Sequence, residues 1–262
     1  MADTPTGPNP LTVAWSIWRS QRGRRPHPTG NGTVDHTGLV PVLAALQDGG
    51  VAALAAQRTA LHAYRDRLAT TDPDALSPDA ALAYWLNLYN AGALDLAAET
   101  HDRQAASVLR LPGGFQRTWV AVGGEDLSLD AIEHGKIRRF GDPRIHGALV
   151  CGSASCPTLR NEPYGGDRLD HQLDDQMRAF LSGGGAVVSQ PDGELRLSRI
   201  FRWYGGDFAR PHKMPTWRPA GTKQLTALLA RWLDPGVVRW LTDTEPRVVY
   251  QTYDWSLACA VR

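Results

Sequence analysis

The chain predicts an α+β fold, with helices packed on a small, mostly antiparallel central sheet. Two observations predict it. Helical apolar periodicity occupies both ends of the chain. Short strand-like runs gather in the middle, two of them joined at Pro191-Asp192-Gly193, a hairpin signal. Residues 39–46 and 52–68 read as helix, with Leu54, Leu61, Tyr64 and Leu68 as the apolar stripe, until Thr71-Asp72-Pro73-Asp74 breaks it. Ser77 as cap, Pro78 in the first turn and Asp79 on the dipole start a helix expected to reach about residue 98. That helix is apolar nearly all round, which predicts a central buried position. Asn87 and Asn90 stand three apart on one of its faces, and a buried asparagine needs a partner. They either tie down loop backbone or line a site. Residues 115–122 read as a strand. Ser128 caps a helix running to about 139, and residues 169–181 form another. Residues 186–189 and 194–197 form the hairpin. Residues 200–208 are aromatic-rich and punctuated by Gly205-Gly206. A helix follows over 222–233, and a last strand over 247–252.

The chain has 262 residues, net charge +1, 42% hydrophobic and 21% charged residues, and nine tryptophans for a core or a pocket wall. This balance speaks against a dedicated nucleic-acid binder. Residues 19–32 carry Arg, Pro, Gly and Asn, so residues 1–32 are expected to form an arm and linker, and residues 33–262 a single domain. No run is read as apolar for the roughly 18 residues a membrane span needs. Arg19, Arg22, Arg24 and Arg25 follow the short apolar run at 11–18, the wrong polarity for a secretory signal. The expectation is a cytoplasmic protein with no membrane partner, whose three cysteines stay reduced.

The chemistry concentrates at Asp142-Pro143-Arg144-Ile145-His146-Gly147-Ala148-Leu149-Val150-Cys151-Gly152-Ser153-Ala154-Ser155-Cys156-Pro157. Residues 145–150 read as a buried strand, followed by a loop of small residues. On a strand, His146 and Cys151 face opposite ways, whereas Cys156 meets His146 if the loop turns back. Cys156 before Pro157 also fits the N-cap of a helix, where the dipole favours thiolate. Cys156 is therefore the preferred nucleophile over Cys151, with His146 as base and the amides of residues 152–155 as an oxyanion hole. Asn87, Asn90, Glu133, Asp142 and Asp207 are candidates to orient the histidine, Asn87 foremost. Glu133-His134 offers a second acid/base pair. Asn90, Arg144, Ser153, Ser155, Trp203, Tyr204 and Asp207 are candidates for the substrate cleft, and Arg160 also flanks the motif. The bland reading has both cysteines and His146 as core residues.

The chain resembles the family of domain of unknown function 547. The matching motifs are Ala83-Tyr84-Trp85-Leu86-Asn87-Leu88-Tyr89-Asn90, Ile132-Glu133-His134-Gly135-Lys136-Ile137-Arg138, the Asp142-to-Cys151 run with Ser155-Cys156-Pro157, Ser198-Arg199-Ile200-Phe201-Arg202-Trp203-Tyr204-Gly205-Gly206-Asp207-Phe208, and Tyr253-Asp254-Trp255-Ser256-Leu257. The family pattern usually has an aromatic where this chain has Gly147, a change expected to open space beside His146. It usually has asparagine where this chain has Ala258. The resemblance implies little chemistry. Some family members are fused to glutaredoxin-like domains, which implies thiol chemistry, and many members are exported. A distant likeness to papain- or transglutaminase-like cysteine enzymes rests on the Cys/His pairing alone.

The functional expectation is a cysteine-dependent acyltransferase or an amide or thioester hydrolase. Its substrate would be a small molecule or an acyl or peptidyl group, in a specialised biosynthetic pathway, as a cyclase or transferase. No cofactor is expected. One alternative is a non-catalytic ligand- or protein-binding module with structural cysteines. Another is a zinc-dependent hydrolase using His134, His146, Cys151 and Cys156, although their spacing departs from zinc patterns.

Overall fold

The computed structural model describes residues 10–262; residues 1–9 of the expected arm lie outside the described residues. Helix α1 (Pro10–Ser20) is followed by irregular chain, then α2 (Val40–Ala55), α3 (Arg58–Ala69) and α4 (Pro78–Asp102). Next come the hairpin β1 (Thr118–Val122) and β2 (Glu125–Ser128), helix α5 (Leu129–Gly135) and the one-turn helix α6 (Ile145–Ala148). Helix α7 (Leu169–Phe180), strands β3 (Ala186–Ser189) and β4 (Glu194–Leu197), helices α8 (Arg199–Ala209), α9 (Thr222–Leu229) and α10 (Pro235–Thr244), and strand β5 (Arg247–Tyr250) complete the order.

The fold is α+β, but no single central sheet exists among the described residues. β1 and β2 form one antiparallel pair; β3, β4 and β5 form a second sheet, in which β4 pairs with β5 in parallel. The described residues cluster into two compact units. The first takes the described residues up to 140, with 149–169 and 254–262, and the second residues 141–148 and 170–253.

In the first unit, Ser77 Oγ accepts the Ala80 N–H and starts α4 as its sequence predicts. Every residue of α4 from Ala80 to Thr100 is buried, against α2, α3 and α5. The expected helix over 52–68 is instead two, because the chain breaks between Ala55 and Arg58. Thr37–Ala55, 19 residues with mean hydropathy 1.5 over an 18-residue window, is by length and composition apolar enough to cross a membrane, contrary to the expectation that no run is. Here Gly50, at φ +62, interrupts it, and Leu39, Val42, Leu43, Leu46 and Leu54 are buried. The expected linker is pinned to this unit. Gly32 N–H bonds Ala75 O, Ser77 N–H bonds Gly32 O, and Lys136 Nζ donates to Arg24 O. α1 packs on α5, where Ser16 Oγ donates to Asp130.

His36 is buried with Nδ1 2.6 Å from the Tyr64 hydroxyl, and burial lowers its pKa to about 4. A depressed histidine contributes stability that is complete above pH 6.5 and is lost as pH falls towards 4, here about 3 kcal/mol. Asp130, raised to about 7, acts in the opposite sense over this range, so the loss is read as the difference between wild type and His36→Gln in urea unfolding at pH 7 and at pH 4.5.

In the second unit, β3 and β4 pair in the register the Pro-Asp-Gly turn predicts, Ala186 opposite Leu197 and Ser189 opposite Glu194. The expected strand at 145–150 is not a strand. Asp142 Oδ1 accepts the Arg144 N–H, Pro143 follows it, and residues 145–148 turn into α6. Residues 200–208, read as turn-punctuated, are the body of α8, capped by Ser198 Oγ on the Ile200 N–H. Gly205 and Gly206 are there for packing: a Cβ on Gly206 would sit 2.0 Å from Arg218 O. Gly147 opens no space either, since a Cβ there would meet Met177 Sδ at 2.9 Å.

Candidate functional site

The small-residue loop after Val150 is held in the first unit by the chain's return. Ala154 N–H donates to Ser256 O, Ser155 N–H to Asp254 O, and Ala258 N–H to Gly152 O. Asp254 N–H donates to Ser155 Oγ at 2.8 Å. Leu159 N–H donates to Ala260 O and Arg262 N–H to Leu159 O. Residues 254–262 thus lie along the loop like a strap. Gly152, at φ +77 and with its Cα face against Ala97 and Val108, allows the turn.

This geometry corrects three expectations. No helix follows Pro157, because the chain there bridges to Val261 instead; Cys156 has no helix dipole behind it. The amides of Ala154, Ser155 and Cys156 are spent on Ser256 O, Asp254 O and Ser153 O, so they form no oxyanion hole. Ser155 Oγ is taken by Asp254, which removes it from the substrate candidates.

What the loop brings together is its two thiols. Cys151 Sγ and Cys156 Sγ are 2.7 Å apart. Ser153 Oγ, fully buried, lies 3.1 Å from the first and 3.4 Å from the second. The Cys151 backbone N–H donates to Cys156 Sγ at 3.0 Å. Cys151 and Cys156 are each partly exposed, and none of the three cysteines is in a disulfide. Burial, with the nearby Cys156, pushes the Cys259 thiol up to about 12. Cys259 was not singled out from the sequence; only its place two residues past the terminal Ser-Leu motif pointed to it.

Asn87 and Asn90 are structural ties. Asn87 Nδ2 donates to Tyr164 O at 2.8 Å, and Asn87 Oδ1 accepts the Tyr164 N–H at 3.0 Å. Asn90 Oδ1 accepts the Val150 N–H. Asn87 therefore does not orient His146. Both amides border a shallow hollow with Leu39, Leu94 and Arg160. Glu133 and His134 are buried on α5. Tyr89 Oη donates to Glu133, and His134 Nδ1 lies 3.5 Å from the Glu133 carboxylate and 3.4 Å from Arg138. They join α4 to α5. Next to them Asp130 is raised to about 7 by burial, with Glu133 adding to the shift.

The second unit holds His146. Its Nε2 lies 2.9 Å from Asp207 Oδ2, and both side chains are almost fully buried. Asp207 Oδ1 accepts the Thr216 N–H at 2.9 Å. The carboxylate only accepts, so Nε2 carries the proton and Nδ1 is the basic nitrogen. Tyr204 stacks on the imidazole, ring centres 4.1 Å apart. Asp207, one of five candidates to orient the histidine, is the one that does so. Trp203 is exposed and packs on Tyr253. Arg144 is clasped by Asp142, Asp170 and Asp174, which removes it as a free anion-binding group; Arg160 is paired with Glu162. Among the described residues, no group of three or more His, Cys, Asp or Glu side chains could hold a metal ion.

No curated protein and no solved structure matches the chain. The Asn87, Glu133-His134 and His146-to-Cys156 motifs all lie inside the one stretch that a family model matches, while the Ser198-to-Phe208 and Tyr253-to-Leu257 motifs lie beyond it. Over residues 73–181 the chain carries a domain of the family described as protein of unknown function, DUF547.

Proposed function

We propose that the protein is a cysteine-dependent acyl-transfer enzyme or thioester or amide hydrolase, with Cys156 as nucleophile. The observation that carries this reading is the Cys151 backbone N–H donated to Cys156 Sγ at 3.0 Å, with Ser153 Oγ beside it. A hydrogen bond to the charged form of a group favours that form, and thiolate is the attacking species. A fixed backbone donor supplies this without any helix behind the residue. The thiolate adds to the substrate carbonyl, the leaving thiol or amine departs with a proton from solvent, and water or an acceptor amine then releases the acyl group from sulfur.

Iodoacetamide labelling at pH 7 with peptide mapping tests the nucleophile. Cys156 should react about tenfold faster than an ordinary thiol, whose pKa near 8.5 leaves it mostly protonated. Cys259 should stay unlabelled in the folded protein. Cys156→Ser should abolish hydrolysis of an aryl thioester. Equal, slow labelling of all three thiols, or full hydrolysis by the serine variant, would overturn the reading in favour of a binding module.

A further inference from the structure

The acyl-transfer reading uses one thiol, yet the loop presents two in contact. Cys151 Sγ is 2.7 Å from Cys156 Sγ, inside the separation at which two unbonded sulfur atoms ordinarily rest. The contact is built. The Cys156 N–H to Ser153 O turn and the strap over Ala154 and Ser155 fold the six-residue loop so that its ends meet. All three cysteines are partly exposed, so a reagent in solution reaches the Cys151–Cys156 pair, while burial raises the Cys259 thiol pKa. A second thiol at contact distance has no part in acyl transfer. It is what thiol–disulfide exchange requires, since a mixed disulfide is released only when a neighbouring thiol displaces the bound group.

We infer that Cys151 and Cys156 form a redox-active dithiol that carries out thiol–disulfide exchange, with low-molecular-weight disulfides as oxidising substrates. The inference rests on Cys156 as the attacking sulfur of the proposed function. Cys156 thiolate attacks one sulfur of the disulfide; a Cys156–S–S–R bond forms, the R–S–S–R bond breaks, and R–S⁻ leaves to be protonated. Cys151 then loses its proton to solvent and attacks Cys156 Sγ. The intramolecular disulfide forms and the second R–S⁻ departs. The protein loses two electrons and two protons, and the substrate disulfide becomes two thiols. Two equivalents of a small thiol reverse the sequence. Closure of the pair removes the Cys156 thiolate, so the same step switches acyl transfer off.

The test equilibrates the full chain with graded ratios of oxidised and reduced glutathione, unfolds it in acid-quenched denaturant, traps remaining thiols with N-ethylmaleimide, and reads intact mass and peptide maps. The expected result is loss of two of the three trappable thiols through a Cys151–Cys156 link, with Cys259 still trapped. Cys151→Ser should stop at a glutathione adduct on Cys156, and Cys156→Ser should form neither species. A wild-type protein that accumulates the adduct without closing, or that pairs through Cys259, overturns the inference. Reduced protein whose Cys156 alkylates fast but never closes sinks this inference alone. A Cys156 that neither alkylates fast nor forms the adduct sinks the acyl-transfer reading with it.

Discussion

Asp207→Asn is expected to leave the second unit folded and to move the His146 ring proton from Nε2 to Nδ1. Thr216 N–H donates to Asp207 Oδ1 and must still be satisfied in the buried site, so the amide oxygen stays on Thr216. The amide nitrogen then faces His146 Nε2 and donates to it. Nε2 becomes an acceptor, the ring proton moves to Nδ1, and the basic nitrogen is lost. Asp207→Ala goes further. It leaves a buried backbone donor and a buried imidazole without their acceptor, a loss of about 3–5 kcal/mol. Nitrogen-15 shifts of the imidazole read the tautomer. A proton still on Nε2 in Asp207→Asn would remove Asp207 as the group that sets it.

The second large effect separates structure from catalysis. Asn87→Ala should cost about 4 kcal/mol, because the Tyr164 N–H and C=O both lose their partner inside the first unit, at about 1–3 kcal/mol each, and a small void adds to this. Asn87→Asp should also destabilise, since a carboxylate can accept the Tyr164 N–H but meets the Tyr164 carbonyl with a second oxygen. Denaturant midpoints check both. The rate of Cys156 alkylation in Asn87→Ala at a temperature where it is folded should match wild type. A tenfold fall there would return Asn87 to the site.

The fold was legible where one residue carries one unambiguous instruction. Ser77-Pro78 and Ser128 cap the helices they announce, and Pro191-Asp192-Gly193 sets the β3–β4 register. Two misreadings share a cause. At Asp142-Pro143 and Ser198 a cap starts a helix, and at each the following residues looked like something else. Ile145 to Val150 is β-branched and apolar enough to pass for a strand, and Gly205-Gly206 looked like a turn although both glycines serve close packing. The pairing of β5 with β4 in parallel depends on partners fifty residues apart and leaves no local mark.

The candidate site was half legible. Cys156, Cys151, His146 and Asp207 were all among the residues singled out, because thiols, imidazoles and buried carboxylates are rare and carry chemistry. The partnerships were not. That Asn87 pairs with Tyr164 backbone, that Arg144 is saturated by three carboxylates, and that the loop amides are spent on residues 254–260 are long-range facts. Side-chain identity alone does not reveal which of several acceptors a donor will meet.

The strap has a consequence for the order in which the protein matures. Ser155 Oγ waits for Asp254 N–H, 99 residues further on, before the loop is held. During synthesis at about 5–20 residues per second, the helices of the first unit can assemble well before that partner exists. Until then Cys151–Cys156 lacks its clamp and its two sulfurs have no reason to meet. Reactivity at Cys156 therefore arrives after the surrounding core, and a nascent chain carries its thiols in an ordinary, unactivated state while it is most exposed to other molecules.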